Sequence, residues 1–199
     1  ADGLMVMPPN LITLNDSEIM QYYETISDNV PLPIVMQDIP GASLSNNLIV
    51  NLANNIEYCR YVKLEVPPTP IKIEGLLNLK PKDLIILGGA SGNYYIEESL
   101  RGAKGTMPGA YIPDVFVKTY KLLNNNKWEE AYEYFNNYVP MLRYLSQGLS
   151  FSYYLSKYIL CKRGILESNN VRPPSIQPNT QAYKEMDSFI KQLQLTNEK

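Results

Sequence analysis

The chain has 199 residues, enough for one domain with a substantial core. Its 18 Lys+Arg nearly balance 20 Asp+Glu, for a net charge of −2, so it offers neither a basic surface for nucleic acid nor an acidic tail. It contains no histidine, which excludes Ser-His-Asp and Cys-His catalysis and argues against a zinc site, leaving Lys, Tyr, Ser, Thr, Asp, Glu or backbone groups for any chemistry.

No run of 18 apolar residues predicts a membrane span, and no charged-then-apolar leader predicts a signal peptide. Cys59 and Cys161 lack metal-ligand spacing and read as buried thiols of a reducing, cytoplasmic compartment. The chain opens Ala1-Asp2-Gly3-Leu4 without an initiator methionine and runs straight into a strand, which reads as an internal start.

Leu4 to Met7 is a short apolar strand ending at Pro8-Pro9-Asn10. Asn15 and Glu18 stand at capping-box spacing and open a helix with Ile19, Tyr22, Tyr23 and Ile26 on one stripe. Leu32 to Met36 is the next strand, followed by Gln37-Asp38-Ile39-Pro40-Gly41. Ser45 starts a helix with Leu48, Ile49, Leu52 and Ala53 on one side. Tyr58 to Glu65 reads as a strand, being rich in aromatic and β-branched residues and stopped by Val66-Pro67-Pro68. Thr69 to Leu79 is a weaker helix with Ile73, Leu76 and Leu77 apolar. Asp83 to Leu87 is a buried strand leading into Gly88-Gly89-Ala90-Ser91-Gly92, and a helix runs from Tyr94 to Gly102. Gly105 to Gly109 is a last short strand and loop.

This alternation of strand and helix predicts βαβ units and a parallel α/β sheet of five strands, either doubly wound or part of a (β/α)₈ barrel. In either fold the loops after the strands build the site. After Pro113 the pattern is helical only: Val115 to Leu123, Trp128 to Leu145, Tyr153 to Arg163 and Thr180 to Leu195. The 16 tyrosines read as packing and interface area, because no basic groove accompanies them.

Within the Tyr58–Glu65 strand, Val62 and Leu64 share one face, while Tyr61, Lys63 and Glu65 share the other. A lysine between apolar strand neighbours either points from an edge into water or sits desolvated as a nucleophile toward a carbonyl. Gly88-Gly89-Ala90-Ser91-Gly92 either cradles an anion with backbone N–H groups or simply makes a tight strand-to-helix turn; it lacks GxGxxG spacing and the Lys-Ser/Thr of a P-loop. Gln37 and Asp38 are either polar site residues or the end of a strand.

Taken in order, Leu-Pro-Ile-Val-Met-Gln-Asp-Ile-Pro-Gly (32–41), Val-Lys-Leu-Glu (62–65), Leu-Gly-Gly (87–89), Arg-Gly-Ala-Lys-Gly-Thr-Met (101–107) and Val-Arg-Pro-Pro (171–174) resemble the dihydrodipicolinate synthase / N-acetylneuraminate lyase family. The resemblance runs from the family's fourth barrel strand to its C-terminal helices. It implies residues 1–112 as a partial (β/α)₈ TIM barrel, strands four to eight, and residues 113–199 as the last barrel helix and a helical C-terminal region. It implies a lyase acting on a pyruvate-like 2-keto acid, with Lys63 as the imine-forming catalytic residue. Gln37, Gly88 and Gly89 then stand near the substrate, and Glu65 stands behind the lysine as an ion pair or tuning group. No metal or organic cofactor is implied, and the partners are a small-molecule substrate and further copies of the chain, as a dimer or tetramer. Two departures from the family pattern stand out. Gln37 replaces the proton-relaying tyrosine, and a glutamine is no general acid at neutral pH. The first three strands, with their carboxylate-binding Gly-Thr-Thr segment, are absent. A non-catalytic binding or sensor barrel and a phosphate-binding barrel enzyme are the alternative readings.

Overall fold

The computed structural model describes residues 1–196. Contacts divide the chain into two units, residues 1–107 and 108–199. The expected boundary at 112/113 falls inside the second unit, where its first helix begins.

The first unit holds a four-stranded parallel sheet: β1 (Leu4–Val6), β2 (Ile34–Asp38), β3 (Cys59–Leu64) and β4 (Ile85–Gly88). Their order across the sheet is β1-β2-β3-β4, all parallel. Each connection therefore steps one strand in the same direction. That is barrel-type winding, unlike a doubly wound sheet, whose strand order reverses. Helices α1 (Asp16–Asn29), α2 (Asn46–Asn55), α3 (Thr69–Asn78) and α4 (Tyr95–Leu100) follow the four strands in turn.

Burial alternates along the strands, as a sheet covered on one face by helices requires. Met36, Val62, Leu64 and Ile86 are fully or almost fully buried, while Val35, Gln37, Tyr61, Lys63, Ile85 and Leu87 are only partly so. The buried side packs on the helices through Ile19 and Tyr23 of α1, Leu48, Ile49 and Leu52 of α2, and Ile73 and Leu76 of α3. The expected caps are present. Asn15 and Glu18 form a full capping box, and the Ser45 side chain accepts from the Leu48 amide.

Several expectations are corrected. The fifth strand is reduced to a single parallel bridge between Gly88 and Thr106, although the Gly88 amide donates to the Gly105 carbonyl and the Met107 amide to Gly88. Gly105 and Pro108, on either side of this segment, both disfavour a continuous ladder. Strand β2 runs on through Gln37 and Asp38, so both are ladder residues with opposite facing. The helix after β4 begins with a separate 3₁₀ turn, Ala90–Gly92, before α4. Cys59 is buried as expected, but Cys161 is only half-buried, and both are free thiols.

The second unit contains α5 (Pro113–Asn124), α6 (Trp128–Asn136), α7 (Val139–Leu145), α8 (Leu149–Lys162) and α9 (Thr180–Gln192). The single helix expected over 128–145 is two, because Pro140 has no amide to give and its ring clashes with the preceding turn. Helix α8 starts at Leu149 after Gly148, earlier than the expected Tyr153. Arg163 ties the end of α8 to the start of α5, donating to the Tyr111 carbonyl and pairing with Asp114 at 2.8 Å.

Among the helices of the first unit, α2 buries the most residues, Leu48, Ile49, Leu52 and Ala53. Leu52→Ala should destabilise the first unit by about 2–5 kcal/mol in urea unfolding, the usual range for a buried leucine. An exposed position on the same helix, Asn51→Ala, should stay within about 0.5 kcal/mol of the parent.

Candidate active site

The register aligns Gln37 of β2, Lys63 of β3 and Leu87 of β4 as direct neighbours across the sheet. All three lie on the face opposite the buried Met36–Val62–Ile86 row, so this is the face the helices leave uncovered. Lys63 and Gln37 are brought there by strand alternation alone, one residue short of the strand ends.

Glu65, the first residue after β3, turns back over this row. Lys63 Nζ lies 2.9 Å from Glu65 Oε2, with 12% and 17% of the two side chains exposed. Gln37 Nε2 donates to the same oxygen at 3.2 Å. The other oxygen, Oε1, accepts from the Ala90 backbone N–H at 2.8 Å. Glu65 thus binds β2, β3 and the loop after β4 with one carboxylate. Burial pushes its pKa up, but the hydrogen bond from Lys63, the Ala90 amide, the lysine's charge and the Gln37 amide together hold it below the usual carboxylate range.

Gly88 and Gly89 serve this arrangement by their lack of side chains. A Cβ on Gly89 would collide with the Glu65 side chain, and a Cβ on Gly88 would collide with the carboxylate of Glu98. Successive residues point to opposite faces of a strand, so the pair seats one carboxylate on each side of the end of β4. Ala90 and Ser91 follow at φ 48° and 57°, a left-handed conformation that non-glycine residues adopt at a cost. It aims the Ala90 amide at Glu65.

Glu98, on α4, carries no solvent exposure. Its Oε1 accepts from Thr69 Oγ1 at 2.5 Å, and its Oε2 is buried without a hydrogen-bond partner among the described residues. Burial drives its pKa up to about 7; the Thr69 hydrogen bond opposes this, and the charges of Glu97 and Glu65 add to it. Neither Glu98 nor Thr69 was singled out from the sequence. The usable signal was the double glycine, which announces that something bulky approaches the backbone there.

Asp38 separates from Gln37. It lies on the helix face, fully buried, where Oδ1 pairs with Lys72 Nζ at 2.7 Å and accepts from the Leu44 amide at 2.8 Å. Lys72 also donates to the Leu44 carbonyl. This second lysine–carboxylate pair fastens α3 to the loop after β2 and takes no part in the Lys63 cluster.

A lysine paired with a carboxylate thus stands at the C-terminal ends of parallel strands, the end at which α/β folds build their sites. Across residues 1–193 the sequence matches the model of the dihydrodipicolinate synthetase family, and the chain belongs to that family. It is 26% identical over 195 residues to L-2-keto-3-deoxyarabonate dehydratase of Azospirillum brasilense, covering 90% of this chain and 60% of that protein. It is 27% identical over 183 residues to 4-hydroxy-tetrahydrodipicolinate synthase of Flavobacterium psychrophilum, covering 88% and 60%. The crystal structure of dihydrodipicolinate synthase from Rhodopseudomonas palustris superposes with a TM-score of 0.88 at 28% identity, over 96% of this chain and 65% of that one. The chain thus spans about three-fifths of the length of the two curated relatives. The family model and the parallel strands with their helices together give the chain its family and its α/β fold.

The two carboxylates make opposite contributions to stability with pH. Glu65, with its pKa depressed in the fold, contributes stability that is present above the usual carboxylate pKa near 4.5 and is lost as pH falls below it. Glu98, with its pKa raised, favours the fold while protonated in both states; that contribution is lost as pH rises from about 4.5 through about 7. Glu98→Gln should therefore narrow the difference in urea midpoint between pH 5 and pH 8, and Glu65→Gln should blunt the loss of stability below pH 4.5. Gly89→Ala should lower the thermal midpoint by several degrees, because the new methyl displaces Glu65.

Proposed function

We propose that this chain carries the imine-forming part of a lyase that acts on a 2-keto acid, with Lys63 as nucleophile and Glu65 as its acid–base partner. The observation that carries the reading is the 2.9 Å contact between Lys63 Nζ and Glu65 Oε2 on the uncovered face of the sheet. Membership of the family and the similarity to both a dehydratase and a synthase support it.

In this reading Glu65 accepts a proton from the Lys63 ammonium, and the freed amine attacks the C2 carbonyl of the keto acid. Glu65 returns that proton to the carbinolamine hydroxyl, which leaves as water, and the resulting iminium draws electrons from C3. Glu65, again a carboxylate, then removes a C3 proton to give an enamine and passes it to the C4 hydroxyl, which departs as water. Hydrolysis of the resulting iminium returns the lysine. Dehydration is the preferred direction because Gln37 lacks the acidic hydroxyl of a relay, so the carboxylate beside the lysine is the group able to move protons. Gln37 gives its N–H to Glu65, which leaves its amide oxygen to accept from a substrate hydroxyl. The chemistry uses no metal and no organic cofactor, and the protein is proposed to work in the cytoplasm as an oligomer.

In the same reading β1 to β4 and the Thr106 bridge are the last five strands of an eight-stranded barrel, and three further βα units close the sheet between the free edge of β1 and the Thr106 segment. A complete barrel takes about 250 residues. The 65% coverage of the crystallised synthase chain supports that completion.

Lys63→Arg keeps the charge but cannot form an imine. It should abolish turnover and the borohydride-trapped pyruvate adduct on the Lys63 peptide, with far-ultraviolet circular dichroism unchanged. Glu65→Gln should still trap pyruvate yet lower kcat by about 10²–10⁴-fold, the usual worth of a positioned acid–base group. Turnover retained by Lys63→Arg would overturn the imine reading and favour a non-catalytic barrel.

A further inference from the structure

We infer that Glu98 is a positioning residue for Glu65: its buried carboxyl ties the loop after β3 to the loop after β4 and so holds the Ala90 amide on the Glu65 carboxylate. The inference rests on the reading of Lys63 and Glu65 as the reacting pair, and it adds a residue on the opposite side of the sheet to that machinery.

The connectivity is short on both sides. Four residues after Glu65 comes Thr69, the first residue of α3, whose hydroxyl donates to Glu98 Oε1. Two residues before Ala90 comes Gly88, against which the Glu98 carboxyl packs so closely that no Cβ fits. The carboxyl therefore touches the start of α3 and the end of β4, which bound the two loops that meet at the Glu65–Ala90 hydrogen bond. Within the 3₁₀ turn that follows, Ala90 and Ser91 are held in left-handed conformations, and such residues persist only where neighbouring contacts over-determine them. Glu98 brackets that turn: it packs on Gly88, two residues before Ala90, and stands on the helix that begins at Tyr95, three residues after Gly92.

The protonation state of Glu98 bears on the clamp. A charged carboxylate there would leave Oε2 ionised, buried and unpartnered, on the far side of the glycine pair from Glu65. The charged groups acting on it are Glu97, on its own helix, and Glu65, and both oppose its ionisation. With its pKa lifted to about 7 by burial, Glu98 is neutral in mild acid and ionises as the pH passes neutrality. Ionisation strengthens the hydrogen bond from Thr69 but leaves Oε2 a buried, unpartnered charge against Gly88, so it loosens the carboxyl's packing on the end of β4. The Ala90–Glu65 hydrogen bond, and with it the seating of the catalytic carboxylate, should then weaken on the alkaline side of pH 7.

The test reads the Ala90 amide directly, by its nitrogen-15 and proton shifts across pH 5 to 9, and needs no turnover. In the parent protein the Ala90 amide should titrate with a midpoint near 7. In Glu98→Gln, which keeps the shape and stays neutral, that inflection should vanish. In turnover assays Glu98→Gln should lose the alkaline fall in kcat, whereas Glu98→Ala should lower kcat by about 10- to 100-fold with KM little changed. An Ala90 amide that does not titrate near pH 7, or that is unmoved in a folded Glu98→Ala, would overturn the inference. Failure to trap pyruvate on Lys63 would instead overturn the proposed function while leaving the amide readout standing.

Discussion

The arrangement of the first unit turns on one carboxylate. Glu65 holds Lys63 and Gln37 on one oxygen and the Ala90 amide on the other. A half-buried carboxylate costs free energy unless its lone pairs are satisfied, and here three donors from three segments satisfy it. Breaking any one of them leaves a partly desolvated charge short of a partner. The lysine depends on the same contact, since its ammonium faces the uncovered side of the sheet with Glu65 as its ion-pair partner. The local order of β2, β3 and the loop after β4 is therefore coupled through one side chain.

The rest of the site makes room for that carboxylate. Gly89 leaves space for its stem, and Gly88 leaves space for a second carboxyl pressing from the helix side. Asp38 and Lys72 secure the loop after β2 on the helix face, so the strand that presents Gln37 is anchored from behind. The face with the helices is thus fixed by buried apolar residues and one ion pair, while the opposite face keeps its polar groups linked and half-exposed. Polar groups concentrate at the C-terminal ends of the strands, where parallel α/β folds build their sites.

Much of this was legible in the sequence for physical reasons. Alternation along 58–65 put Lys63 and Glu65 on one face and Val62 and Leu64 on the other, and strand geometry leaves no other choice. The Asn15–Glu18 and Ser45 caps were readable because their chemistry is local. Contacts that depend on register were not readable. Gln37 and Asp38 looked like one polar exit, yet consecutive strand residues must part to opposite faces, and only Gln37 reaches the lysine. Gly88 and Gly89 read as an anion cradle or a tight turn, whereas their constraint comes from Glu65, 24 residues before Gly89, and Glu98, 10 residues after Gly88. Glu98 itself sits beside Glu97 in a run that looks like a solvated helix start, and nothing within the helix distinguishes the half-buried carboxylate from the fully buried one.

The strand order carries a kinetic consequence. Because β1 to β4 pair strictly in sequence order, every sheet contact joins residues only roughly 25 to 30 positions apart. Each added strand closes a loop of the same modest size, so the entropy lost per step does not grow as the sheet widens. Assembly can proceed by accretion, one βα unit onto the last, with no contact that must wait for the two ends of the chain to meet. In a closed barrel that long-range seam is inevitable, and it falls where the first strand meets the last. The section formed by β1 to β4 depends on no such seam, so the lysine and its carboxylate are organised by local strand pairing alone.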